Sequence, residues 1–282
     1  MANETQLGSI DAYSPNEIAY RVQSVGSYKA NMSVFRMVML GILAGAFISL
    51  GGMNYLNGMA QDLPKLVSAM MFTLGLVLCI VGGAELFTSN NLIVMAWAQG
   101  KVPSRAVLRN WFWIYFSNMA GCLGTVGFAY ASGILHTVDL GFGVQVLKVA
   151  TTKAGLPAHE IFFKGILCNV LVCLGVWLCF AARSVTDRIL SLLLPISAFV
   201  SMGFEHCVAN MFFLPLGFLA AQDPLLVAAS HLPPEAIGQL TAENFGINIL
   251  LATLGNILGG SVLVGGMYYL AYLKGEAPAS GT

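Results

Sequence analysis

Two stretches of this chain are too long and too apolar to be ordinary membrane-crossing helices, and each is interrupted near its middle by charged and polar residues. The first covers residues 64–99 and carries GAELFTSNN at 83–91; the second covers 189–221 and carries GFEHCVAN at 203–210. A continuous helix of about 36 residues would extend about 54 Å at 1.5 Å per residue, far beyond the ~30 Å hydrocarbon core of a bilayer. Each run therefore reads as two half-helices joined by non-helical backbone. Unsatisfied backbone groups are costly in lipid, so such breaks survive only inside protein or beside a water-filled path. The breaks mark a pathway.

Composition puts the pathway in a membrane. The chain has 282 residues, 57% hydrophobic and only 9% charged, where soluble domains carry about 25% charged residues. So few charges cannot solvate the surface of a soluble domain of this size. The formal net charge is zero, which implies no polybasic or acidic partner, and no nucleic-acid motif is present. The six cysteines lie in apolar segments without disulfide or zinc spacing and read as small buried hydrophobes. No metal or cofactor is expected. The first 35 residues hold Glu4, Asp11 and Glu17 and lack the apolar core of a signal peptide.

Ser14-Pro15-Asn16-Glu17 has the pattern of a capping box with proline at the first helical position. It opens a helix from Ile18 to about Lys29 with Ile18, Val22 and Val25 on one face, expected to lie on the membrane surface. Apolar segments follow at 37–59, 64–99, 107–135, 161–182, 189–221 and 246–273. Of the 13 lysines and arginines, nine fall on the side of the N-terminus, Lys65, Lys148 and Lys153 on the other, and Lys164 within the fourth segment. The excess predicts both termini in the cytoplasm. The expected organisation is an N-terminal segment over 1–36, a six-span membrane domain over 37–274 and a tail over 275–282.

The two halves resemble each other. LGILAGAFISLG at 40–51 aligns with KGILCNVLVCLG at 164–175, GAE at 83–85 with GFE at 203–205, and SNMAG at 117–121 with GNILG at 255–259, placing Asn118 on Asn256. Repeats over about 37–135 and 161–273, each of three spans, must insert with opposite orientation. An inverted repeat with one broken helix per half is a pattern of channels and transporters.

Few ionisable residues fall at bilayer depth: Glu85, Lys164, Glu205 and His206. Each costs at least ~2.5–3.5 kcal/mol there and is a functional candidate. Glu205 is placed to hold a nitrogen of the neighbouring imidazole or a backbone amide. Glu85, its repeat partner, reads either as a ligand for free amides or as a brace for irregular backbone. Thr88 is placed to cap the half-helix starting near Ser89, whose N-terminus would favour an anion. Asn169 and Asn256 sit mid-span as pore-facing groups or interhelical glue. Lys153 is placed to enrich anions at a mouth, and Lys164 sits either deeper or snorkelled outward. Phe72, Leu76, Leu86, Phe87 and Phe199 flank the breaks as core or as hydrophobic constrictions.

ELFTSNN at 85–91, GILCN at 165–169, GFEHCVANMFFLPLG at 203–217 and GNILGG at 255–260 resemble the formate/nitrite transporter family, over about residues 17–273. The resemblance implies an all-helical, aquaporin-like fold and an inner-membrane homopentamer, contacting lipid, with one pore per protomer. It assigns the inner part of the pore to Leu86 and Thr88, the constrictions to Phe72, Leu76 and Phe199, and the central histidine to His206. Asn169 and Asn256 are implied as pore-facing asparagines and Lys153 as the vestibular lysine. Lys164 departs from formate members of the family, whereas SNN after LFT is similar to them. The implied substrate is a small monovalent weak-acid anion, formate first and nitrite second, with hydrosulfide or a short carboxylate such as lactate next. An intramembrane enzyme using Glu205 and His206 is the remote alternative, lacking HExxH or a partner nucleophile.

Overall fold

A computed structural model describes residues 12–275, and among them all regular structure is helical. The predicted tail over 275–282 lies, beyond Gly275, outside the described residues. Helix α1 (Pro15–Ala30) begins at the predicted capping box: Glu17 N donates to Ser14 Oγ at 3.4 Å and Ser14 N to Glu17 Oε2 at 2.7 Å. The Ser14 amide and hydroxyl hold the Glu17 carboxyl below the usual carboxylate range. Its apolar face does not rest free on a membrane surface. Ile18, Ala19, Val22 and Gly26 are buried, and Ile18 and Val22 pack in one cluster with Leu92, Met95, Cys173 and Trp177. Val25 is only half-buried. The apolar face finds its partner on the protein itself, in the side chains that follow the first break and in the later apolar segment that carries Cys173 and Trp177.

Helices α2 (Val34–Ala60) and α3 (Lys65–Gly82) follow. A 3-10 turn (Ser89–Ile93), the short α4 (Val94–Ala98) and α5 (Ser104–Ala131) complete the first half. The second half contains α6 (Gly141–Ala154), α7 (Ala158–Ala181), α8 (Val185–Ser201) and α9 (Cys207–Ala220). The small α10 (Pro224–Ser230) and α11 (Pro234–Ile237) precede α12 (Ala242–Ile257), which continues through a π-helical stretch (Leu258–Gly266) into α13 (Met267–Tyr272). The two overlong apolar runs are both broken, at the expected places.

By length and composition four helices suffice to cross a membrane: α2, α3, α7 and the continuous Ala242–Tyr272. A fifth arises only if α9 and α10, bent by 105°, are taken together. The predicted span over 189–221 falls instead into α8 and α9 of 17 and 14 residues. In the predicted span over 107–135, α5 carries Arg105, Arg109, Asn110 and Asn118, which dilute its apolar character.

Close crossings weld each half. A Cβ on Gly121 would collide with the Ile42 carbonyl oxygen, and one on Gly259 with that of Ile166. Gly121 thus brings α5 onto α2, and Gly259 brings the π stretch onto α7. The two breaks open alike: the chain leaves α3 at Gly83 with φ of 81°, and leaves α8 at Gly203 with φ of 69°. Both are left-handed conformations that glycine adopts without a Cβ penalty.

Candidate functional site

Each break is held by one asparagine that satisfies three backbone groups. Phe87 N donates to Asn118 Oδ1 at 2.9 Å, while Asn118 Nδ2 donates to the carbonyls of Gly41 and Glu85 at 2.8 and 2.9 Å. In the second half Cys207 N donates to Asn256 Oδ1 at 3.0 Å, and Asn256 Nδ2 to the carbonyls of Gly165 and Glu205 at 2.7 and 2.9 Å. The amide and carbonyl of each break, which would otherwise be unpaired in an apolar interior, are thereby paired with protein, and the shared Gly41 and Gly165 carbonyls anchor them to α2 and α7.

The same duplication governs the charges. Lys29 Nζ lies 3.2 Å from Glu85 Oε2 and donates to Asn90 Oδ1 at 2.9 Å. Asn90 Nδ2 reaches Glu85 Oε2 at 2.8 Å and Asn110 Oδ1 at 3.0 Å, and Asn110 Nδ2 returns to the Lys29 carbonyl. Across the molecule Lys153 Nζ lies 2.8 Å from Glu205 Oε1. Asn210 Nδ2 reaches Glu205 Oε2 at 2.6 Å and Asn248 Oδ1 at 2.8 Å, and Asn248 Nδ2 returns to the Lys153 carbonyl. Glu85 and Glu205 are only 5% and 1% exposed, so neutralisation and saturation with donors are what make their burial tolerable.

The halves meet at an imidazole. His206 is buried at the head of α9, and its Nδ1 accepts from Ala209 N at 3.0 Å. An amide can only donate, so Nδ1 carries no proton and the neutral ring bears its hydrogen on Nε2. That nitrogen faces Thr88 Oγ1 of the opposite break at 3.0 Å, with Nε2–H donating to the hydroxyl oxygen. Phe199 stacks on the ring at 5.8 Å between centroids and meets Phe72 edge-on at 5.8 Å.

Two cavities open toward these clusters. One, of about 520 Å³ on the α6 side, is lined by Phe72, Lys153, Lys164, Phe199, Glu205 and His206, with Lys65 and Lys148 among its other walls. The other, of about 320 Å³ on the α1 side, is lined by Arg21, Lys29, Glu85, Ser89 and Arg188 among others.

The predicted residues divide accordingly. Phe72, Lys153, Lys164, Phe199, Glu205 and His206 come together at one cavity, whereas Leu76 and Leu86 are buried and line neither. Phe87 also lines neither; its ring packs edge-on against Tyr115 and Trp111, at 5.0 and 6.1 Å. Thr88 does not cap the following turn, because its hydroxyl is engaged by His206. Glu205 does not orient the imidazole, its oxygens being taken by Lys153, Asn210 and Asn248. Lys164 is bound to Glu160 at 2.7 Å, one helical turn away. Asn169 donates to the carbonyls of Thr88 and Asn256 and to Asn91 Oδ1, so it ties the first break to the second half.

Lys29, Asn90, Asn110, Asn210 and Asn248 are absent from the sequence-based candidates. Their signal lay in the repeat: Lys29 and Lys153 are separated by 124 positions like Gly41 and Gly165, and Asn90 and Asn210 by 120 like Glu85 and Glu205. Asn110 and Asn248 share the separation of 138 between Asn118 and Asn256. The step from 120 to 138 falls where α10 and α11 are inserted. Helix α1, carrying Lys29, therefore corresponds to α6, carrying Lys153.

A fold of broken helices joined at a buried histidine, with paired charged cavities, is that of a membrane transport protein. Residues 16–270 match the family model described as formate/nitrite transporter, and the chain belongs to that family. It is 37% identical to formate channel FocA of Escherichia coli (strain K12), covering 94% of this chain and 96% of that one. It is 34% identical to a probable formate transporter of Methanothermobacter thermautotrophicus, covering 93% and 97%. Among solved structures, a pentameric formate channel with formate bound superposes with a TM-score of 0.78 at 36% identity, covering 86% of this chain and 98% of that one. An FNT family ion channel superposes with a TM-score of 0.77 at 27% identity, covering 90% and 98%. The protein is a membrane channel and not an enzyme.

Proposed function

We propose that the chain is a proton-linked channel for small monovalent weak-acid anions, formate first and nitrite next. The observation that carries this reading is the Thr88–His206 hydrogen bond, which joins the two breaks. In this reading six spans form a three-plus-three inverted repeat over residues 37–274. Both termini face the cytoplasm across the inner membrane, the α1-side cavity opens inward, and five copies assemble with one pore each.

The chemistry follows from desolvation. Lysine-bearing cavities raise the local anion concentration, and a route narrowed by Phe72, Phe199, Leu76 and Leu86 strips water from what enters. Removal of water penalises the charged form of a weak acid and favours its protonation. The neutral acid then passes the apolar rings. His206 and Thr88 supply the polar groups at the narrowest point. Asn169, Asn256 and Glu85 keep the irregular backbone in place, and Lys153 and Lys164 belong to the outer mouth.

The test is a panel of proteoliposomes given formate, nitrite, hydrosulfide and lactate across a pH series. Formate flux that rises as external pH falls is the expected result. Flat pH dependence would remove the proton linkage, and preference for hydrosulfide or lactate would replace the substrate. His206→Phe should abolish or strongly alter flux while leaving assembly intact; unchanged flux would take the imidazole out of the mechanism.

A further inference from the structure

The two cavities are built on matching elements but differ in the chemistry of their cations. On the α6 side every positive group is a lysine: Lys65, Lys148, Lys153 and Lys164. On the α1 side the only lysine, Lys29, is committed to Glu85 and Asn90, and two guanidinium groups, Arg21 and Arg188, line the same walls. The position corresponding to Arg21 in the other half is Gln145, again 124 residues on.

Arg21 is held in a fixed pose. Its guanidinium lies 3.8 Å over the Tyr13 ring, and Arg183 approaches the same ring at 4.5 Å. Stacking occupies the face of a guanidinium and leaves its edge, which carries the N–H donors, open to a planar partner. The Arg21 Nε is removed from solvent and has no hydrogen-bond acceptor among the described residues. Glu17, which accepts from Ser14, lies near enough for Arg183 and Arg21 to act on its charge without a direct ion pair to Arg21, and Asp187 accepts from Ser184 N at 3.1 Å. Neither Arg21 nor Arg188 forms an ion pair with a carboxylate among the described residues.

From this we infer that Arg21 and Arg188 form a binding site for a planar oxyanion in the α1-side cavity, selecting carboxylates and nitrite-like anions over spherical ones. A guanidinium presents parallel N–H donors that match two oxygens of one planar anion, whereas an ammonium acts as a point charge. The lysine mouth therefore attracts anions with little regard to shape, and the arginine mouth sorts them. This inference rests on the channel reading above and gives its α1-side mouth a specificity the other mouth lacks.

The experiment titrates sodium formate and, separately, sodium chloride into purified wild-type protein and the variants R21Q, R188Q, R21K and R21Q/R188Q, following heat by calorimetry. Gel filtration verifies assembly of each variant, and R188Q reports on the site without touching the Tyr13 stack. Wild type should bind formate in preference to chloride. R188Q should bind formate roughly tenfold more weakly, the loss of one charge-assisted contact, the double variant more weakly still, and R21K should retain chloride binding but lose most of the preference for formate. Formate affinity within twofold of wild type in both R188Q and the double variant would overturn the site. R21K indistinguishable from wild type would overturn planar recognition. Formate flux through wild-type liposomes, measured in parallel, separates the two readings: absent flux rejects the channel for formate, whereas normal flux with unchanged binding in the variants rejects only the arginine site.

Discussion

At the scale of single residues, the molecule spends its asparagines on backbone. Asn118 and Asn256 were expected to correspond, and their identical bonding explains why a side-chain amide recurs there: it offers two donors and an acceptor at once. Asn256→Ala would leave Cys207 N and the Glu205 carbonyl without partners, and would strip the Gly165 carbonyl, already bonded within α7, of its second donor. Each buried group so stranded costs ~1–3 kcal/mol. The variant should unfold at clearly lower temperature in detergent than wild type, and an unchanged melting curve would show that the amide is dispensable. Mid-span asparagine was legible in the sequence as either a pore group or a brace. The choice was not legible, because it depends on which carbonyls the crossing helix delivers, and that is a tertiary fact.

At the scale of elements, glycine and capping residues decide how helices meet and begin. Gly121→Ala and Gly259→Ala each push a methyl group into a backbone carbonyl that no rotamer change can move aside. Overpacking of this kind costs ~1–3 kcal/mol or more, and the two variants should lose thermal stability to a similar degree; a large difference would show that the halves do not bear load equally. The cap of α1 carries a pH dependence of definite sign. The folded-state carboxyl of Glu17 titrates below its ordinary value, so its contribution is present above the ordinary value and is lost as pH falls through the folded one. Amide hydrogen exchange in the first turn of α1 should accelerate on acidification, and Glu17→Gln should flatten that response. The start of α1 was readable because capping is local. Its docking was not, since Ile18 and Val22 look alike whether they face lipid or Leu92, Met95 and Trp177.

At the scale of the whole molecule, the two breaks were visible as runs too long for a bilayer, and the repeat was visible as three aligned fragments. The outer boundary of the repeat was missed because α1 and α6 share only sparse identity, while α10 and α11 change the spacing partway through. Charge is also organised at this scale. Lys153 and Lys164 are each held by a carboxylate, whereas Lys65 and Lys148 are exposed on the α6-side cavity and form no ion pair among the described residues. Long-range attraction of anions should therefore come chiefly from the latter two. The double variant Lys65→Gln with Lys148→Gln should raise the apparent KM for anion flux at low salt and weaken its dependence on ionic strength; retention of the full salt dependence would assign the attraction elsewhere. A different consequence follows from the amide of Ala209 occupying one nitrogen of the central imidazole. The other nitrogen already carries the ring's hydrogen, and a neutral imidazole surrenders that hydrogen only at strongly alkaline pH. With no nitrogen free to take up a second, the ring is a fixed donor at the join of the two breaks and not a wire through which protons cross the membrane.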